Sequence, residues 1–185
     1  MKSEQTAKLA GTAILAALVV VFDYTLKFSG LKIPFPWAPF LKFDFTGIPI
    51  VLTLLLCGLS SGGATSLVAC IAIVARSGDV VGATSKAIAE FATVSGMAAG
   101  LRLSGRYKKA VSVIAGVALR IAVMSVSNLI ILPSYYGMPY SVAVGLLPVI
   151  GAFNAIQGGM TVLVGYALYE AYLRRVPTKQ MKPTK

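Results

Sequence analysis

The chain has 185 residues, of which 57% are hydrophobic and 12% charged, and its mean hydropathy is +0.81. Charged residues make up about a quarter of an ordinary soluble domain, so this composition excludes one and points to lipid as the solvent. The net charge of +11 gathers at particular loops and at the C-terminus, a topology signal rather than the continuous basic face of a nucleic-acid-binding protein.

At roughly 20 apolar residues per span, a chain of this length has room for about five to seven spans with tight loops and for no soluble domain beside them. The expectation is a single transmembrane domain over residues 1–185, ending in a short basic tail at about 173–185. A first span is expected over residues 8–28. Lys2 and Lys8 precede it as in a signal peptide, but no small-residue cleavage site closes it and further spans follow, so it reads as a helix that is kept. Within it, Ala13 and Ala17 stand four apart among other small residues, the spacing of a flat strip that another helix can approach closely.

The loop that follows, KIPFPWAPFLKFDF, is dense in proline and aromatics. Phe35, Trp37, Phe40, Phe43 and Phe45 could lid a planar ligand by stacking or form an interfacial aromatic belt. Two short apolar runs come next, residues 45–59 and 62–75, separated by the breaker cluster SSGG. They read as a tight helical hairpin, lengthened by snorkelling of Lys42 and Arg76 at the outer ends. The remaining spans are expected over 80–101, 110–132 and 142–172, with Pro148 bending or restarting the last.

Six spans place both termini on one side. Lys2, Lys8, Arg102, Arg106, Lys108, Lys109, Arg174, Arg175, Lys179, Lys182 and Lys185 then share that side, eleven of the seventeen bases. By the positive-inside rule it is cytoplasmic, and the chain is a multi-pass protein of the cell membrane.

Ionisable groups inside spans are costly and are functional candidates by default. Lys86 and Glu90 lie four apart on the fourth span and share a face. Glu90 and Arg120 each lie about 15 Å from opposite ends of their helices, so they can meet. Glu90 can serve only to neutralise Arg120 or Lys86; alternatively, Lys86 sits in a ligand pocket open to the outside with Glu90 behind it. Asn128 stands near the outer end of the fifth span, and Asn154 and Gln157 are three apart on the sixth. Such amides can serve a polar heterocycle or bond helix to helix. Cys57 and Cys70 lie in apolar runs without Cys-x-x-Cys spacing, and there is no histidine, so embedded thiols are expected and no metal site.

Taken together, LKFDFTGIP at 41–49, NLIILPSYYGMP at 128–139 and FNAIQG at 153–158 resemble the S components of energy-coupling factor (ECF) transporters, small six-helix membrane proteins that capture vitamins. Their order and spacing look most like the riboflavin-specific branch. The resemblance covers nearly the whole chain and implies an all-α fold of six transmembrane helices. In that branch the first segment reads much like Leu-Lys-x-Asp-Phe-Ser-Asp-Ile-Pro, an asparagine precedes the Leu-Pro-x-Tyr turn, and a later Phe-Asn-x-x-Lys-Gly supplies ligand contacts, so the resemblance implicates Asn128 and Asn154. Gln157 stands where that branch usually has lysine, Gly47 where an aspartate is common, and Lys86 where an asparagine is expected.

The candidate substrate-binding set is Phe43, Asp44, Lys86, Glu90, Asn128, Asn154 and Gln157. Riboflavin is the first choice of transported ligand and pantothenate the alternative within the class, with no cofactor. The resemblance further implies capture outside, a transmembrane coupling subunit, two cytoplasmic ATPases and release inward by toppling. Docking on that module would use the strip at Ala13 and Ala17. The chain has no Gly-x-x-x-x-Gly-Lys-Ser/Thr phosphate loop, so hydrolysis belongs to a partner and no enzyme is expected. A stand-alone secondary carrier would call for inverted repeats and coupling acids, and an embedded enzyme for a nucleophile with a base or for metal ligands. Neither pattern is present in the sequence.

Overall fold

The structure, a computed structural model, describes residues 2–103, 105 and 107–175. Arg106, Lys179, Lys182 and Lys185, and with them most of the expected basic tail, lie outside the described residues. Six helices are present, α1 (Lys2–Phe28), α2 (Gly47–Cys57), α3 (Leu59–Ser77), α4 (Val80–Arg102), α5 (Lys108–Tyr136) and α6 (Tyr140–Arg175). The only strands among the described residues are β1 (Ile33–Phe35) and β2 (Ala38–Phe43). The expected helical spans are thus present in order, with ends displaced by a few residues.

Four helices, α1, α3, α5 and α6, are long and apolar enough to cross a membrane. With 23 residues α4 has the length, but Lys86, Glu90 and a run of small and hydroxyl residues lower its hydropathy. It occupies the centre instead, where Ala89, Glu90, Thr93, Val94 and Met97 are buried. With 11 residues, α2 rises only about 16 Å, half a bilayer core. The second apolar run is therefore shorter than a span, because residues 38–43 go into a strand instead of extending the helix.

That strand corrects the reading of the proline-aromatic loop. Antiparallel pairing sets Ile33 opposite Phe43, Pro34 opposite Lys42 and Phe35 opposite Ala38, with a shift in register after Pro34. A proline within a two-stranded ribbon is tolerated because each strand keeps a free edge. Phe35 and Ala38 bury against Phe153 of α6, with Leu41, Phe43 and Val149 around them, so the hairpin is docked on the bundle. At its root Asp23 of α1 accepts hydrogen bonds from Lys32 Nζ at 2.6 Å and Arg76 Nε at 2.7 Å. Arg76 thus ties α3 to α1 and the hairpin.

The break between α2 and α3 also differs from expectation. It falls at Gly58, whose φ of 97° suits glycine, while Ser60 to Gly63 lie inside α3. There the small residues serve packing: a Cβ on Gly62 would approach Leu54 Cβ at 3.3 Å and one on Gly63 would approach Phe91 at 3.0 Å. Pro148 does not restart α6, which is continuous over 36 residues.

The main apolar core joins Val19, Ile50, Val51, Leu54, Ala69, Val94, Met97, Val162 and Tyr166. Close crossing of α4 on α5 needs glycine, since a Cβ on Gly100 would stand 2.6 Å from Ser112 Cα. Val51 fits against Gly165 in the same way, where a Cβ would meet its side chain. Beneath the hairpin, residues of α4, α5 and α6 line a cavity.

Candidate binding cavity

A cavity of about 210 Å³ opens at the hairpin end. Phe40, Leu41, Lys42 and Asp44 roof it. Ser85, Lys86 and Ala89 of α4, Arg120, Met124, Asn128 and Tyr136 of α5, and Phe153, Asn154 and Gln157 of α6 form its walls. Helical spacing produces this lining: Arg120, Met124, Asn128 and Leu132 recur every four residues along one stripe of α5.

Of the seven sequence-predicted residues, Asp44, Lys86, Asn128, Asn154 and Gln157 line the cavity. Lys86 Nζ forms an ion pair with Asp44 Oδ2, while Asp44 Oδ1 accepts from the backbone N–H of Thr46 at 3.2 Å and from its hydroxyl at 2.9 Å. This Asx turn leads into α2. Asp44 lies outside the helices. Burial pushes its carboxyl up, but the adjacent Lys86 ammonium and the hydrogen bonds more than offset this, leaving it below the ordinary value of 3.8.

Gln157 fastens the roof to α6. Its Nε2 donates to Asp44 O at 2.7 Å and to Thr161 Oγ1 at 3.3 Å, and its Oε1 receives the Asp44 N–H at 3.4 Å. Asn128 Nδ2 donates to Met124 O at 2.8 Å and Asn154 Nδ2 to Ile150 O at 2.9 Å. All three amides thus line the cavity; Asn128 bonds back within its own helix, while Asn154 and Gln157 also bond to other elements.

Glu90 and Phe43 lie behind the lining. Glu90 Oε1 accepts from Arg120 Nη1 at 3.1 Å, and Glu90 is 1% exposed, so of the two possible partners it neutralises Arg120 and not Lys86. Its Oε2 has no hydrogen-bond partner among the described residues. Gly47 accounts for this closeness, because a Cβ there would sit 2.6 Å from that oxygen. Phe43 packs on Phe35 at 5.6 Å and Phe153 at 5.1 Å between ring centroids, supporting the roof from outside. Trp37 is 72% exposed and does not line the cavity, so of the loop aromatics only Phe40 does.

Arg120 emerges as a lining residue that the sequence had placed only as a charge partner. Its Nε donates to Asn154 Oδ1 at 3.1 Å and its Nη1 also to Thr93 Oγ1 at 3.2 Å. The four-residue stripe on α5 was the signal that could have found it. Lys42 was expected only to snorkel, and Tyr136 lay beyond the expected end of its helix. Ala13 and Ala17 are exposed on α1, facing away from the bundle, while Ala16 between them is buried.

No family model and no curated protein matches the chain. Among solved structures, the S component of a bacterial ECF transporter superposes with a TM-score of 0.77 at 24% sequence identity, covering 92% of this chain and 97% of that one. The chain has the S-component fold.

Proposed function

We propose that this protein is the vitamin-binding subunit of an ECF-type transporter of the cell membrane. The observation that carries the reading is the hairpin-roofed cavity with polar side chains converging from α4, α5 and α6, set within the S-component fold. In this reading both termini are cytoplasmic, the cavity opens outward, and the exposed strip at Ala13 and Ala17 meets a transmembrane coupling subunit served by two ATPases. Ligand captured outside is delivered inward as the subunit topples.

Riboflavin is the first ligand to test, on the strength of the three sequence segments and of the aromatic residues at the roof. Pantothenate is the second, and the cavity size favours it: about 210 Å³ lies below the roughly 300–1,000 Å³ of usual ligand pockets. Titration of the purified chain with a vitamin panel tests the reading. We expect saturable binding of one vitamin, weakened roughly tenfold by Asn128→Ala through loss of a buried hydrogen bond. Absence of binding across the panel by folded protein overturns it.

A further inference from the structure

Donors and acceptors in the cavity are unequally committed. Gln157 has used both ends on Asp44, and Asn154 has an internal bond at each end. Each oxygen of Asp44 already accepts a hydrogen bond. Among the described residues, Asn128 Oδ1 is the one side-chain amide oxygen lining the cavity that accepts none. On the donor side, Lys86 spends one of its three N–H groups on Asp44. Arg120 is engaged through Nε and Nη1, which leaves Nη2 without a protein partner among the described residues. Lys42, at the mouth, is exposed and has no ion pair among the described residues.

Charge follows the same pattern. Lys42, Lys86 and Arg120 line the cavity against Asp44 alone, and Glu90 behind the wall balances Arg120. One positive charge remains, with spare N–H donors on the Arg120 side chain, 5% exposed, and the Lys86 side chain, 15% exposed. A neutral heterocycle that brings donors of its own leaves these unpaired at a cost, whereas a carboxylate or phosphate satisfies them with short charge-assisted bonds.

Building on the vitamin-binding reading, we infer that the cavity selects a ligand carrying an anionic group, which Lys86 and Arg120 bind and Lys42 attracts. Gln157 and Lys86 are complementary departures: the cation is supplied from α4, while α6 gives an amide that secures the roof.

The test is calorimetric titration of the purified full chain with acid and neutral members of matched pairs: pantothenate and panthenol, riboflavin phosphate and riboflavin, nicotinate and nicotinamide. We expect the acid of at least one pair to bind roughly tenfold or more tighter than its neutral counterpart. Lys42→Gln should narrow that gap without shifting the melting temperature. Lys86→Gln combined with Asp44→Asn, which leaves no orphaned buried charge, should narrow it further, leaving only the part supplied by Arg120 and Lys42. Equal or tighter binding of the neutral member in every pair that binds overturns the inference and leaves the vitamin-binding reading standing. If nothing binds to protein shown to be folded, both fall.

Discussion

Asp44 and Lys86 show how one ion pair can serve both the fold and the cavity. Each is mostly buried, and removing one partner strands the other, which typically costs about 3–5 kcal/mol. The Asp44 carboxyl is held below its ordinary range, so the sign of its pH dependence is fixed. The pair's contribution is complete above the unfolded carboxylate value of about 3.9 and is lost as pH falls through the lower folded value. The melting temperature difference between wild type and the Lys86→Gln, Asp44→Asn variant should therefore stay constant from neutral pH down to about pH 5 and shrink only in stronger acid. A difference that already declines between about pH 7 and 6 would show that another group governs the pair.

Among the elements, the short α2 and the hairpin explain each other. Because α2 has 11 residues, the segment before it must fill the upper half of that position in the bundle, and β1 and β2 do so while roofing the cavity. Gly47, the first residue of α2, lies against Glu90 and Thr161, which makes its smallness a structural requirement here. Gly47→Asp should lower the melting temperature by several degrees, as expected for a loss of a few kcal/mol from overpacking next to a like charge. Glu90→Gln in the same chain should recover part of the loss; no recovery would place the strain elsewhere.

The helices were legible in the sequence because each apolar run is bounded by Gly58, Gly78, Gly137 or a charged turn, and the Glu90 and Arg120 depths foretold their meeting. The hairpin was not, since its pattern of exposed Ile33 and Phe40 beside buried Phe35 and Ala38 depends on α6 being there to cover one face. The SSGG cluster misled for a related reason: glycine breaks isolated helices, but inside a bundle it permits close approach. Within the site, residue type revealed the polar members Asn128, Asn154 and Lys86. Which of their atoms remained free could only follow from the packing.

The described residues include an ion pair between Lys109 and Glu170 at 2.5 Å that joins the start of α5 to the end of α6. Towards that end Gly100 packs closely on Ser112 and Gly165 on Val51. In the proposed reading the ligand is released by movement of the whole subunit together with its coupling module. Uptake of the bound vitamin into cells should therefore need the coupling subunit and ATPases and be abolished without them, while binding persists. Uptake by this chain alone would favour a self-sufficient carrier.

The unequal heights of the helices bear on that motion. The 36 residues of α6 reach about 54 Å, far beyond a hydrocarbon layer of about 30 Å, whereas α2 reaches about 16 Å. No single flat belt of lipid can match both, and the surrounding acyl chains must stretch on one flank and compress on the other. In the proposed reading, that mismatch would be redistributed around the protein as the subunit topples, which makes its orientation sensitive to bilayer thickness.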